Sequence, residues 1–282
     1  MKATNLAISI PYKGCDKNCP YCVSKMTGYN ISKENVFKRN RPKVRNLARN
    51  ASIASVLLTG KGEPLLNIPS VLDNLNYFQD FPLELQTNGI YLKNNFNKTS
   101  ILHNLYDNGL DCIAFSLDRI STFQQYNSLF KSIVDMNMTV RVTLNVTDLI
   151  AEGTTFHDIV SCAIENHVEQ LSLRRVTIPN YIDLQKTETA KSASWIKKHV
   201  EDKHHTEELI TDMINTVASS KDAQFLRALP YGAKVYDYRG ISVTYFDYCV
   251  QDSNDINDIR SLIFEEDGHL YTSWNSRASK IF

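Results

Sequence analysis

Three cysteines lie within eight residues near the N-terminus: Cys15, Cys19 and Cys22. In a reducing cytosol, cysteines this close together are more often metal ligands or redox groups than disulfide partners. A structural zinc site has four protein ligands, usually as two separated pairs. This sequence has no second C-x2-C pair and no His within ten residues of the three cysteines. Because ferredoxin clusters take four cysteines, three thiolates suggest a [4Fe–4S] cluster with one iron left open to bind another group.

The string C-x3-C-x2-C, with Tyr21 directly before its last cysteine, resembles the signature of radical S-adenosylmethionine (SAM) enzymes. The resemblance implies that Cys15, Cys19 and Cys22 hold one [4Fe–4S] cluster and that Tyr21 belongs to the cofactor-binding residues. It also implies that the amino and carboxylate groups of SAM chelate the fourth iron. One electron from the cluster then splits the sulfonium and yields a 5′-deoxyadenosyl radical. A structural zinc site or an electron-transfer loop is the alternative.

The remaining cysteines, Cys112, Cys162 and Cys249, stand alone in the sequence. We interpret them as small buried apolar side chains. Since Cys249 is the only cysteine after Cys162, one thiolate cannot hold a second cluster, and the sequence predicts a single-cluster protein.

A glycine-rich turn, Thr59–Pro64, follows the second predicted strand. In parallel α/β barrels the active site lies at the C-terminal ends of the strands. Gly60 and Gly62 allow the backbone to approach a ligand closely, and Glu63 can accept hydrogen bonds from an ammonium group. The turn resembles the Gly-Gly-Glu-Pro motif that binds the amino group of SAM, although Lys61 replaces the second glycine. The alternative is a simple strand-to-helix turn.

The third and fourth predicted strands also end in polar residues. Thr87 and Asn88 follow the third strand and are similar to the Thr-Asn-Gly of many family members; an Asx turn is the alternative. Ser116 ends the fourth strand in a Ser-Leu-Asp sequence, where the family's Ser commonly contacts the carboxylate or ribose of SAM. The alternative role for Ser116 is strand-end hydrogen bonding.

Arginines on the fifth and sixth strands are candidates for binding an anion. No Arg lies between Arg119 and Arg141, so Arg141 is the candidate that neutralises the SAM carboxylate, and Asn145 resembles a ribose-binding Asn. Strand alternation points one of Arg174 and Arg175 into the barrel. A buried Arg needs a partner, so the inward one is expected to meet a carboxylate or phosphate of SAM or substrate. The sequence leaves open which one points inward.

Short apolar runs alternate with helical patterns over residues 1–180, which predicts βαβ units and a parallel sheet. Six units are too few for an eight-stranded barrel, and the resemblance implies an α/β fold with a partial (β/α)6 TIM-like barrel. Residues 181–282 form a second region, a helix-plus-β-hairpin extension expected to cap the barrel and shape the substrate site. The predicted strands are Leu6–Tyr12, Ser55–Thr59, Leu83–Thr87, Cys112–Leu117, Thr139–Val146, Gln170–Ile178, and the hairpins Ala233–Tyr236 with Ile241–Phe246 and Arg260–Phe264 with His269–Trp274.

The extension is dense in aromatic side chains with polar tips, which suit a selective and largely apolar pocket. The alternative is that they pack the outside of the barrel. These residues are Tyr231, Tyr236, Tyr238, Tyr245, Tyr248, Tyr271 and Trp274.

Composition limits the class of protein. The 282 residues carry 31 Lys and Arg against 31 Asp and Glu, so a broad nucleic-acid surface is not expected. The basic run Lys38–Arg49 is interpreted as a solvated helix face rather than a phosphate or nucleic-acid site. No apolar run approaches the roughly 18–20 residues that span a bilayer, and no signal peptide is recognised. The sequence therefore predicts a cytoplasmic protein that does not bind membranes.

The leading hypothesis is a radical SAM enzyme that abstracts hydrogen from a small-molecule, nucleotide or peptide substrate. Its core motifs are broadly similar to those of the cyclase of molybdenum-cofactor biosynthesis, and it would receive electrons from a donor such as flavodoxin or ferredoxin. One alternative is a glycyl-radical activating enzyme, but the fourth strand reads Ser-Leu-Asp-Arg rather than Asp-Ile-Lys. The weaker alternative is a non-catalytic iron–sulfur or zinc module, which would not need the polar strand ends.

Overall fold

The computed structural model describes residues 2–29, 31–179, 182–229, 232–246, 259–274 and 276–282. The chain divides into two compact units. The first comprises Met1–Asn18, Thr27–Ile113 and Val250–Phe282, and the second comprises Cys19–Met26 and Ala114–Cys249. The region 181–282 therefore contributes strands to both units.

The first unit is built on a mainly parallel arrangement of strands in the order β11–β10–β1–β2–β3. Strands β10, β1, β2 and β3 run parallel, and β11 is antiparallel to β10. Its elements are β1 (Ala3–Ser9), α2 (Glu34–Asn50), β2 (Ser55–Thr59), α3 (Ile68–Phe78), β3 (Leu83–Thr87), α4 (Ile90–Asn95), α5 (Ile101–Asp107), β10 (Ile259–Phe264), β11 (Leu270–Tyr271), and 3₁₀ turns at Pro64–Asn67 and Arg277–Ser279.

The second unit has the strand order β4–β5–β6–β9–β8–β7. Strands β5, β6 and β9 are parallel, whereas β7, β8 and β9 form an antiparallel meander. Its elements are α6 (Ser121–Asp135), β5 (Thr139–Val146), α7 (Phe156–Glu165), β6 (Gln170–Arg175), α8 (Thr187–Ile196), a π-helical turn (Lys197–Glu201), α9 (His204–Ser219), β7 (Ala223–Ala228), β8 (Lys234–Tyr238) and β9 (Ile241–Phe246). The chain passes from one unit to the other within two elements, which are α1 (Val23–Thr27) and β4 (Cys112–Leu117).

The predicted α/β class is confirmed, because parallel strands alternate with helices in both units. The partial-barrel form stays a prediction. The second to fifth strands have the predicted bounds. The first predicted strand forms, but its predicted bounds Leu6–Tyr12 were wrong, because β1 is Ala3–Ser9. It ends at Ser9, since Pro11 has no N–H to donate to a ladder and the Tyr12 N–H donates to Glu266. The sixth strand ends at Arg175, three residues earlier than predicted.

Both predicted C-terminal hairpins form, with different bounds: the strand predicted as Ala233–Tyr236 is Lys234–Tyr238, and the one predicted as His269–Trp274 is only Leu270–Tyr271. Each hairpin also joins a parallel neighbour. Strand β9 pairs with β6 and β10 pairs with β1. The turn between β8 and β9 has positive φ at Arg239 and Gly240, which is the geometry of a tight type I′ hairpin. Strand β7 was not predicted.

The basic run lies on helix α2, where most of its long side chains meet acidic partners. Arg45 and Arg49 both donate to the carboxylate of Asp80, at 2.7 and 2.6 Å, and Arg41 pairs with Asp73. These pairs agree with a solvated, locally neutralised helix face. No helix in the described ranges is both long enough and apolar enough to cross a membrane.

Candidate active site

Glu63, in the turn after β2, is the centre of a hydrogen-bonded group in the first unit. The residue is only 4% exposed. Its Oε1 accepts from the Leu65 N–H at 3.1 Å and the Thr87 hydroxyl at 2.7 Å, and its Oε2 accepts from the Asn88 N–H at 2.9 Å. Burial raises the pKa of Glu63, although these donors partly offset that effect. The carboxylate therefore joins the turn after β2 to the end of β3.

The glycines of this turn are needed for contacts within the chain. A Cβ on Gly62 would overlap with the carbonyl oxygen of Gly14 and lie 2.6 Å from the Tyr12 ring. A Cβ on Gly60 would lie 3.2 Å from the Ile10 carbonyl oxygen. The backbone at Gly62 thus approaches the segment that leads into the cysteine loop. The approach of this turn to a ligand, which the sequence suggested, stays a prediction.

Lys61, which departs from the family motif, forms a hydrogen bond to another segment of the first unit. Its Nζ donates to the Gly28 carbonyl oxygen at 2.8 Å. Burial lowers the pKa of Lys61, and the nearby Glu265 carboxylate opposes that shift. The lysine thereby ties the turn to the segment that follows the cysteine loop.

Asn88 connects the end of β3 to the first cysteine. Its Nδ2 donates to the Asp16 carboxylate at 2.7 Å and lies 3.8 Å from Sγ of Cys15. Its Oδ1 accepts from the Ile90 N–H at 2.9 Å, so the Asx turn of the alternative interpretation is also present. One side chain therefore starts helix α4 and holds the loop that carries Cys15.

The three clustered cysteines are divided between the units, with Cys15 in the first and Cys19 and Cys22 in the second. Cys15 is exposed, the other two are half-buried, and none of them forms a disulfide. The Cys19 carbonyl accepts from the Cys22 N–H at 3.3 Å and from Lys25 Nζ at 3.0 Å, which closes a tight turn. Within the described ranges, no three His, Cys, Asp or Glu side chains are grouped as ligands of one metal ion. The cluster site therefore stays a prediction.

The isolated cysteines differ in burial. Cys112 is buried, as predicted. Cys162 is only half-buried; burial raises its pKa, and Asn166 Nδ2 lies 3.6 Å from its Sγ. Cys249 lies outside the described residues.

The second unit contains a polar group around Tyr21. The Tyr21 hydroxyl donates to the Asp118 carboxylate at 3.2 Å and is also hydrogen-bonded to Asn145. Asn145 Nδ2 donates to Ser116 Oγ and to the Leu117 carbonyl, each at 3.2 Å. Burial raises the pKa of Tyr21 far above its usual range, and the negative charges of Cys19 and Asp118 add to the shift. Predicted residues from the cysteine loop, β4 and β5 thus meet in one network.

Strand register decides between the two arginines of β6. Arg174 pairs with Asn145 of β5, and partners in a parallel register point to the same face. Arg174 therefore shares the face of Asn145. Arg175 lies on the opposite face, where its guanidinium bonds to Glu207 at 2.6 Å and to the Tyr245 hydroxyl at 3.1 Å.

Arg141 shares the face of Asn145 but lies near the other end of β5. Arg141 is four positions before Asn145, and four positions along a strand correspond to about 13 Å. Its Nε donates to Gln170 at 2.8 Å. The structure therefore does not bring Arg141 to the polar group around Tyr21.

Sequence reasoning missed two acidic residues and one aromatic residue beside the cysteine loop. Asp118 was seen only as part of the Ser-Leu-Asp sequence, and Glu266 only as part of a hairpin turn. Glu266 accepts from the Tyr12 N–H at 2.9 Å. Trp195 of α8 packs on the Tyr21 ring with centroids 5.2 Å apart. For Glu266 the available signal was its position two residues after the end of β10, but that strand had to be recognised as a parallel neighbour of β1.

Three of the C-terminal aromatic residues, Tyr236, Tyr238 and Tyr271, make contacts within their own units. Tyr238 stacks on Phe156 and Tyr236 meets Phe225 edge to face. The Tyr271 hydroxyl donates to Asp267 at 2.8 Å. Two more residues of the predicted pocket, Tyr231 and Tyr248, lie outside the described residues.

Comparison with solved structures gives a likeness over nearly the whole chain. The fold is similar to that of SuiB from Streptococcus suis. SuiB bound to the precursor peptide SuiA matches with a TM-score of 0.58 at 15% identity, covering 99% of this chain and 62% of that chain. SuiB bound to S-adenosylmethionine matches with a TM-score of 0.56 at 12% identity, covering 99% of this chain and 63% of that chain.

The chain spans about three fifths of the length of these SuiB structures, and the likeness at such low identity concerns the fold alone. No protein-family model matches the sequence, and no curated protein matches it either.

Proposed function

We propose that this protein is a radical SAM enzyme that uses one [4Fe–4S] cluster, bound by Cys15, Cys19 and Cys22, to cleave SAM reductively. The observation that carries the proposal is that polar residues selected at the ends of predicted strands lie beside the cysteine loop. In the first unit, Glu63 fixes the Asn88 backbone while the Asn88 side chain holds the loop of Cys15. A non-catalytic metal module would not need polar strand ends gathered beside its ligands.

The donor chemistry fits the cluster. The cysteines form no disulfide and are all at least partly accessible, and thiolates are the usual ligands of iron–sulfur clusters. When bound, the cluster supplies the electron that splits the SAM sulfonium. The fold likeness to a protein that binds SAM gives independent support.

The residues of this chain would bind and orient SAM. The Tyr21 hydroxyl, protonated at neutral pH like any tyrosine, donates to Asp118. That bond holds the middle of the cysteine loop against the ends of β4 and β5, where Ser116 and Asn145 present a hydroxyl and an amide. These groups suit the ribose hydroxyls or carboxylate of SAM. Arg174, on the same face as Asn145, suits the carboxylate better than Arg141 does.

The substrate would be a peptide or a small molecule, from which the radical abstracts hydrogen. The binding of a precursor peptide by SuiB favours a peptide. We retain residues 1–180 as the core and 181–282 as the region that shapes the substrate site. The reductive step requires a one-electron donor such as flavodoxin or ferredoxin.

SAM cleavage tests this proposal. The reconstituted protein, reduced by dithionite, should convert SAM to 5′-deoxyadenosine and methionine, detected by mass spectrometry. Ser116→Ala and Asn145→Ala should weaken SAM binding measured by calorimetry. Thr143→Val is the matched control, because Thr143 is buried on the same face two residues earlier. Absence of 5′-deoxyadenosine from protein with a full cluster would contradict the function, and normal SAM binding by both Ala variants would contradict the placement of the pocket.

A further inference from the structure

The segment Ile10–Gly14, here called the stalk, leads from β1 into the cysteine loop and is held at every residue but one. The Ile10 N–H donates to Thr59 at 2.7 Å, and the Gly14 carbonyl accepts from the Glu63 N–H at 3.0 Å. The Pro11 carbonyl accepts from Asn67 Nδ2 at 3.1 Å. These contacts come from β2, which pairs with β1, and from the turn that follows β2.

A further hydrogen bond to the stalk backbone comes from a residue far away in the sequence. The Tyr12 N–H donates to Oε2 of Glu266 at 2.9 Å, although the two residues are 254 positions apart. Glu266 is 1% exposed and lies two residues after the end of β10, which pairs in parallel with β1. When a hydrogen-bonded N–H in a part-buried place loses its acceptor, its amide proton exchanges with solvent more readily.

The turn that carries Glu266 is itself fixed against helix α2. A Cβ on Gly268 would overlap with the backbone N of Phe37, so the turn and the helix are in direct contact. Asn40 Nδ2 donates to the Gly268 carbonyl at 2.7 Å, and the Lys33 N–H donates to the Glu266 carbonyl at 2.9 Å. Because the turn is held in three places, the Glu266 carboxylate can set the position of Tyr12.

We propose that Glu266 is a positioning residue for the iron–sulfur centre: its carboxylate fixes Tyr12, and through Tyr12 the direction in which the chain enters the loop of Cys15. The inference rests on the proposed function. It gives the C-terminal strand β10 a role in forming the cluster site, separate from any role of residues 181–282 in substrate choice.

Substitution of Glu266 separates positioning from general stability. Glu266→Leu removes the acceptor, whereas Glu266→Gln keeps an amide oxygen that can accept from the Tyr12 N–H. Val71→Ala, in the buried face of α3, is the control for a general loss of stability in the same unit.

The first measurement is hydrogen exchange of the Tyr12 amide in metal-free protein. Exchange should be about ten-fold faster or more in Glu266→Leu, as expected when the Tyr12 N–H loses its acceptor. It should be close to wild type in Glu266→Gln. In Val71→Ala, the Tyr12 amide should be no more affected than other amides of β1 and the stalk.

The second measurement is cluster release to an iron chelator, together with the electron paramagnetic resonance spectrum of the reduced protein. Glu266→Leu should release iron about ten-fold faster than wild type and give an altered spectrum, and Glu266→Gln should restore both properties. Tyr12 exchange and cluster release that are equal in Glu266→Leu and wild type would overturn this inference alone. A wild-type protein that takes up no iron would instead overturn the proposed function.

Discussion

Removal of the Glu63 carboxylate should destabilise the first unit in a way that can be worked out from its partners. The backbone N–H groups of Leu65 and Asn88 and the hydroxyl of Thr87 would lose their acceptor. Each buried donor left without a partner costs about 1–3 kcal/mol. Burial of the charged carboxylate is itself unfavourable, as the raised pKa of Glu63 indicates. Its removal therefore offsets part of that cost. We therefore expect Glu63→Ala to lower the free energy of unfolding by about 3 kcal/mol.

The assay is denaturant unfolding of metal-free protein in a double-mutant cycle with Thr87→Val. Thr87 also accepts from the Gly89 N–H at 3.0 Å, but the cycle cancels that contribution. The coupling between the Glu63 and Thr87 substitutions should be about 1–2 kcal/mol, with unchanged m-values. A loss below about 1 kcal/mol for Glu63→Ala, with no coupling to Thr87, would refute the idea that this carboxylate joins β2 to β3.

Three further results are expected. Gly62→Ala should lower the free energy of unfolding by about 2 kcal/mol or more, seen as a reduced Tm, because its Cβ would overlap with Gly14; an unchanged Tm would contradict the close approach. Tyr21→Phe should cost roughly 1 kcal/mol in denaturant unfolding through loss of the bond to Asp118, and no measurable loss would argue against that bond. Burial raises the pKa of Glu63 in the folded protein, so Glu63 loses its proton at a lower pH in the unfolded chain than in the folded one. The free energy of unfolding of wild type, relative to Glu63→Gln, should therefore fall as pH rises from about 4.3 toward the raised pKa. An increase over this range would show that the pKa is lowered instead.

The central strands could be predicted because each is a short buried run ended by turn residues. Ser55–Thr59 and Thr139–Val146 have the predicted bounds for this reason. Strand β7 could not be predicted, since Phe225 and Leu226 are adjacent and both about half exposed, so the run shows no alternation between a buried and an exposed face.

The sequence identified the candidate site residues from their chemical type and their position at the ends of predicted strands. It did not identify the residues to which they are hydrogen-bonded. The sequence selected Glu63 as an acceptor for an ammonium group, a role that stays a prediction. It did not indicate that the Glu63 oxygens also join two strand ends. The contact between Tyr12 and Glu266 depends on β10 lying beside β1, which no local pattern reveals. The choice between Arg174 and Arg175 likewise needed the register with β5.

Iron and sulfide analysis of anaerobically purified protein, with its electron paramagnetic resonance spectrum, tests the central claim most directly. The account predicts about four iron atoms per chain, as one [4Fe–4S] cluster requires, and a spectrum of the reduced protein that changes when SAM is added. Replacement of Cys15, Cys19 or Cys22 with Ala should abolish the cluster, whereas joint replacement of the other three cysteines should leave it in place. Stoichiometric zinc in the native protein, or full cluster content after loss of any one of Cys15, Cys19 and Cys22, would contradict the account.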